Sequence, residues 1–128
     1  NGSMYQVVGT LELNFDGHQN YTNYYRELDL EQAVFTTTYQ LDGVTYKREV
    51  FASQPDQVIV VRLTADKLGK LSFAAGLNGT LQKTAAALDS HTLEMTGLSG
   101  SHEGISGQVK FNARARIINK GGTVAADS

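Results

Sequence analysis

One pair of residues constrains this chain more than any other. Asp42-Gly43 sits between two alternating apolar–polar runs, and a two-residue type I′ turn requires positive φ at both central positions. Folding the chain back there sets Leu41 against Val44, Tyr39 against Tyr46, Thr37 against Arg48, Phe35 against Val50 and Ala33 against Ala52. The opposite face then carries Gln40 with Thr45, Thr38 with Lys47 and Thr36 with Glu49. One face is mainly apolar and the other polar, the signature of an antiparallel hairpin covered on one side.

The same period of two recurs along the chain. Val109, Phe111, Ala113, Ala115 and Ile117 alternate with Lys110, Asn112, Arg114 and Arg116. Leu11, Leu13 and Phe15 alternate with Glu12 and Asn14, and Tyr24, Arg26, Leu28 and Leu30 with Tyr25, Glu27, Asp29 and Glu31. A strand is predicted from Leu71 through Phe73 and Ala75 to Leu77, closed by Asn78-Gly79, and another from Thr92 to Leu98. Val58 to Leu63 is apolar on both sides apart from Arg62, which reads as a central strand buried between layers. Leu81 to Leu88, with Ala85-Ala86-Ala87, is the one stretch open to a helical turn and reads as irregular instead, and Gly121-Gly122-Thr123-Val124 reads as a turn entering a strand. Seven or eight strands with short turns make an all-β fold, an antiparallel β-sandwich over residues 1–128, in one domain without an internal linker or repeat.

Composition agrees with that class. The chain has 128 residues, 13 glycines and one proline, enough length for a real core and many tight turns. A formal charge of −2 argues against a nucleic-acid or anionic-lipid partner. No cysteine is present, which removes disulfides, thiolate metal sites and a cysteine nucleophile. The longest aliphatic run, Val58-Ile59-Val60-Val61, is far shorter than the roughly 20 residues of a membrane helix. Asn1 to Thr10 lacks the basic start and apolar block of a signal peptide.

Five features bear on chemistry. His102-Glu103 opens like a zinc-protease His-Glu-x-x-His, but position 106 is Ser106 and the stretch is a glycine loop, so a solvent-exposed loop histidine is the better reading. Gly97, Gly100, Gly104 and Gly107 have no following Lys-Ser or Lys-Thr and read as a mobile connection rather than a phosphate cradle. Glu27, Asp29 and Glu31 share one strand face at a spacing of roughly 7 Å, compatible with the about 6.5–9.5 Å of an inverting glycosidase. A solvated acidic face is the commoner meaning of that pattern. Lys110, Arg114 and Arg116 form a basic stripe without interleaved aromatics, the outer face of a strand rather than a nucleic-acid track. Asn1-Gly2-Ser3, Asn20-Tyr21-Thr22 and Asn78-Gly79-Thr80 fit the N-glycosylation sequon. None of this assembles a catalytic, cofactor-binding or metal site.

The wording of the sequence says more than its spacing. Tyr24-Tyr25-Arg26-Glu27-Leu28-Asp29-Leu30-Glu31-Gln32-Ala33 resembles the "YxRELDLxxA" stretch in the N-terminal domain of glycoside hydrolase family 95. Asp42-Gly43-Val44-Thr45-Tyr46-Lys47-Arg48-Glu49-Val50-Phe51-Ala52-Ser53 and Pro55-Asp56-Gln57-Val58-Ile59-Val60-Val61-Arg62-Leu63 continue it. His102-Glu103-Gly104-Ile105 and Gly107-Gln108-Val109-Lys110-Phe111 follow in the family's order. Tyr5-Gln6 with Gly9 and the run to Phe15 resembles the "YQxxGDLxLDF" pattern, with Val7, Thr10 and Asn14 as departures.

The resemblance implies an exo-acting α-L-fucosidase that removes terminal, mostly α-1,2-linked fucose with inversion. It implies an N-terminal β-sandwich joined to an (α/α)6 barrel that carries the catalytic acid and base. None of the barrel's motifs occurs here, and the family's "GNGRLGAM" and "LNExxxW" patterns do not precede Tyr5. The expectation is an interior, non-catalytic piece of the sandwich domain whose partners are the barrel and, for the parent, a fucosylated glycan. Family members are commonly secreted or periplasmic. The alternative is a free-standing carbohydrate-binding module stacking sugars on Tyr21, Tyr24, Tyr25 and Tyr46, against which the absence of tryptophan counts. With strand edges left unpaired, the isolated chain is expected to form a homo-oligomer.

Overall fold

The computed structural model describes residues 5–126. It is all-β and antiparallel throughout, consistent with the β-sandwich class. The strands, in chain order, are β1 (Thr10–Asn14), β2 (Thr22–Asp29), β3 (Val34–Leu41), β4 (Val44–Ser53), β5 (Val58–Ala65), β6 (Ala74–Asn78), β7 (Gln82–Asp89), β8 (Thr92–Leu98) and β9 (Lys110–Arg116). Two compact units share them: Phe15–Phe73 forms one, and Asn1–Asn14 with Ala74–Ser128 the other.

In the Phe15–Phe73 unit, β2-β3-β4-β5 run as a four-stranded meander. The hairpin register is the expected one from Phe35↔Val50 to Leu41↔Val44. Asp42 (φ 50°) and Gly43 (φ 70°) both occupy the left-handed region that a type I′ turn needs. Tyr39, Val44 and Tyr46 are buried beside this turn, with Leu41 and Ala65 against them, so the core lies at the turn end of the hairpin.

Two expectations fail within this sheet. Ala33 does not face Ala52: it has φ 53° and belongs to the turn between β2 and β3, while Ala52 pairs with Ile59. The Asp29 carboxylate closes that turn by accepting the Glu31 and Gln32 N–H groups at 2.9 and 3.0 Å. Val58 to Leu63 is not central either. Among the described residues β5 pairs with β4 alone and forms the sheet edge, with Ile59 75% exposed. Two-sided apolarity reports what a strand's faces meet, and says nothing about which edges are paired.

The other unit contains a two-stranded ribbon, β1-β6, and a three-stranded sheet, β7-β8-β9. Strand β6 packs against β8, where Met95 is the most deeply buried side chain, 1% exposed. Gly9 is required beneath it, because a Cβ there would meet Met95 Cε and lie 2.6 Å from the Asn78 carbonyl oxygen. The strand expected from Leu71 starts only at Ala74. Phe73 instead stacks on Phe15 at 5.3 Å, and the Lys70 carbonyl accepts the Tyr46 hydroxyl at 3.2 Å. Those residues are committed to side-chain packing rather than to a ladder.

Leu81 to Leu88, expected to be irregular, is most of strand β7, paired in register with β8 through Ala85↔Met95, Ala86↔Glu94 and Ala87↔Leu93. Alanine is a weak strand former, and the pairing with β8 overrides that preference. The β8–β9 loop is not a loose connection. Ser99 N–H donates to Val109 O at 2.8 Å, and His102 and Ile105 exchange backbone hydrogen bonds at 3.0 and 2.9 Å around Glu103 (φ 48°) and Gly104 (φ 79°). Gly121 and Gly122 turn with positive φ as expected, but no strand follows them among the described residues.

Candidate functional site

The densest side-chain chemistry surrounds the hairpin core. β3 and β4 place Tyr39 opposite Tyr46, their rings stacked at 5.2 Å and 14°. His18, in the turn after Phe15, meets Tyr46 edge-on at 4.6 Å, and its Nδ1 lies 2.8 Å from the Tyr39 hydroxyl. Arg48 Nη2 donates to the same hydroxyl oxygen at 3.1 Å, and the guanidinium sits 4.2 Å above the Phe15 ring. With His18 in its Nε2-protonated tautomer, the Tyr39 hydroxyl donates to Nδ1 while its oxygen accepts from Arg48 Nη2. Arg48 Nε is buried without a partner. Burial first, then unfavourable electrostatic interaction with neighbouring Tyr39, Asp42 and Asp66, pushes the Tyr46 hydroxyl above its ordinary pKa.

This cluster holds rings in place; it does not form an acid–base pair. Among the described residues no carboxylate bonds to His18 or Arg48. The sequence gives little warning of it, since His18 lies in none of the quoted segments and Arg48 is met there only as a strand residue, and the two converge only in the folded chain.

The residues singled out from the sequence are scattered. Glu27 accepts the Tyr25 hydroxyl at 3.0 Å, and that bond and the carboxylate charge raise the Tyr25 pKa. Asp29 closes a turn, and Glu31 lies in that turn beyond the end of β2, so the three acids do not share a strand face. His102 Nε2 and Glu103 Oε1 are 3.8 Å apart on a hairpin tip, and no cluster of three metal-ligating side chains occurs among the described residues. Of the basic stripe, Arg114 Nε donates to Glu94 Oε2 at 2.6 Å, while Lys110 and Arg116 are exposed. The Asn112 amide and then Arg114 hold the Glu94 carboxyl below the usual carboxylate range.

Of the sequon asparagines, Asn20 is exposed, and Asn78 uses its amide nitrogen on Glu12 Oε1 at 3.2 Å. Asn1 lies outside the described residues. Of the four tyrosines proposed to stack on sugars, Tyr46 is withdrawn, because it is 6% exposed within the core. Tyr21, Tyr24 and Tyr25 remain exposed.

Comparison with known proteins supplies what the geometry does not. The chain is 48% identical over 81 residues to alpha-L-fucosidase 2 of Arabidopsis thaliana, covering 61% of this chain and 10% of the relative. It is 29% identical over 124 residues to probable alpha-fucosidase A of Aspergillus niger, covering 96% of this chain and 15% of that relative. The chain thus spans a small fraction of the length of these curated relatives. The resemblance to the N-terminal domain of a glycoside hydrolase is matched by these relatives, and family 95, which they do not name, is consistent with them. All of residues 1–128 match the N-terminal domain of glycosyl hydrolase family 65, and the chain belongs to that domain family.

Proposed function

We propose that this chain is a non-catalytic, interior part of the N-terminal β-sandwich of a family 95-type α-L-fucosidase, whose acid and base reside in an (α/α)6 barrel elsewhere in the parent. The observation that carries this reading is the alignment with two α-fucosidases over a small share of their length. The structure is compatible with it, because no pair of carboxylates faces across a pocket among the candidate acids. One rung of the four-stranded sheet, Leu28–Phe35–Val50–Val61, is apolar across all four strands, with Leu28 58% exposed. Such a rung suits burial against further protein, and the barrel is the proposed cover.

Purified alone, the chain is expected to release no fucose from 2′-fucosyllactose. Turnover that persists to homogeneity and disappears in Glu27→Gln or Asp29→Asn overturns the non-catalytic reading.

The isolated chain is also expected to pair with a second copy. The free edge of β5 carries one charge, Arg62, and no proline, so it lacks the usual protection against edge-to-edge addition. A net charge of −2 offers weak repulsion. Light scattering over a concentration series should show a mass rising above the monomer, and Ile59→Lys should suppress the rise. A constant monomer mass at high concentration removes this expectation.

A further inference from the structure

The start of β2 contains an irregularity that the fucosidase reading leaves unused. Thr22 pairs with Gln40 and Tyr25 with Thr38, so β2 carries one residue more than β3 between those rungs, a β-bulge. Asn23 sits within it at φ 52°, in the left-handed region. In an unbroken extended strand, residues three apart point to opposite faces and lie roughly 10 Å apart. Here the Tyr21 and Tyr24 rings lie 5.4 Å apart, tilted by 43°, while 47% and 50% of their surfaces stay exposed. The bulge therefore gathers two aromatic faces that a regular strand would separate.

Tyr21 is held from below. Tyr21 meets buried Tyr39 edge-on at 5.7 Å, and Tyr39 is fixed by its bonds to His18 and Arg48. Beside the rings, Asn23 Nδ2 donates to Gln40 Oε1 at 2.6 Å. That bond uses one donor and one acceptor of two exposed amides, leaving the Asn23 oxygen and the Gln40 N–H groups to meet hydroxyls. A tilted aromatic pair flanked by neutral amides suits a ligand with an apolar C–H face rimmed by hydroxyls. The ligand class follows from the membership in a glycosyl hydrolase domain family.

We propose that Tyr21 and Tyr24, with Asn23 and Gln40 at their side, form a neutral-oligosaccharide binding platform on which a pyranose ring stacks. The proposal rests on carbohydrate as the parent's substrate class, and not on where hydrolysis occurs.

The test is saturation-transfer NMR on the full chain, with 2′-fucosyllactose, lactose and cellotetraose as probes. Saturable binding in the millimolar range is expected for at least one probe. Tyr24→Ala should weaken it by about tenfold, the scale of one aromatic contact. Tyr24→Phe keeps the ring and should retain binding. Asn23→Gly keeps the left-handed turn, removes one amide and should weaken binding less than Tyr24→Ala does. Tyr5→Ala, at another exposed tyrosine, should have no effect. Circular dichroism of each variant confirms that the sheet survives. Absence of saturable binding to all three probes, or binding that Tyr21→Ala and Tyr24→Ala leave unchanged, overturns the platform. Either result leaves fucose release by the parent untouched, so the two readings fail separately.

Discussion

Gly97→Ala is expected to destabilise the protein by about 2 kcal/mol, the scale of forced overpacking in a filled site. Gly97 lies in β8, the middle strand of its sheet, opposite Phe111 of β9. The Phe111 ring covers the glycine so closely that a Cβ there would meet Phe111 Cζ and lie 2.7 Å from Cε1. The ring can swing away, but the Gln82 carbonyl oxygen, 2.5 Å from the same position, belongs to the β7 backbone and cannot. Relief requires the β7–β8 ladder to open. Gly76→Ala is the matched control: a strand glycine in β6 with nothing within 4 Å of the added carbon. It should be neutral or slightly stabilising, since alanine restricts the unfolded chain more than glycine does. Urea unfolding of the two variants separates the cases, and equal midpoints would remove the close approach from the account.

Gly43→Val is expected to cost more than about 1 kcal/mol, for a different reason. Space is available: the nearest atom to a new Cβ would be Lys67 Nζ at 3.6 Å, the end of a flexible side chain. The penalty is in the backbone, because a β-branched residue is forced to φ 70°. Thr38→Val, on the more polar face of the same hairpin, should change stability far less. Chemical denaturation that places both variants at the same midpoint would detach the Asp42-Gly43 turn from the stability of the sheet.

The accuracy of sequence reading here follows how local the determining physics is. The hairpin register was readable because a turn dipeptide and two alternating runs lie within twenty residues and constrain one another. Strand β9 was readable for the same reason, with Phe111, Ala113 and Ala115 half-buried and their neighbours exposed. Strand β7 was not, because alanine carries no periodic signal and its pairing with β8 is made after the chain reverses at Asp89. The edge position of β5 was hidden because hydropathy describes faces and is silent on neighbours. Glu31 was misplaced by extending an alternating pattern past a carboxylate that caps a turn. The ring cluster was opaque because it depends on His18 meeting Tyr39 across more than one element. Family membership came from the wording of particular segments, which no periodicity argument reproduces.

The strand pair β1-β6 joins residues on either side of the entire Phe15–Phe73 segment, with Asn14 opposite Ala74 at its inner end. Closing such a long loop from a disordered chain is entropically slow, and it returns only a two-stranded ribbon. The next residue at each end, Phe15 and Phe73, is already stacked within the segment's own packing. Once the local hairpins of β2 to β5 have formed, that contact holds the two chain ends together and shortens the effective loop to almost nothing. The Phe15–Phe73 stack is thus expected to act as a kinetic clasp, with the meander forming first and the β1-β6 pairing following, an order that stopped-flow folding of Phe73→Ala would check. Weakening it should slow folding more than its modest buried area implies, while leaving the rate of unfolding comparatively unchanged.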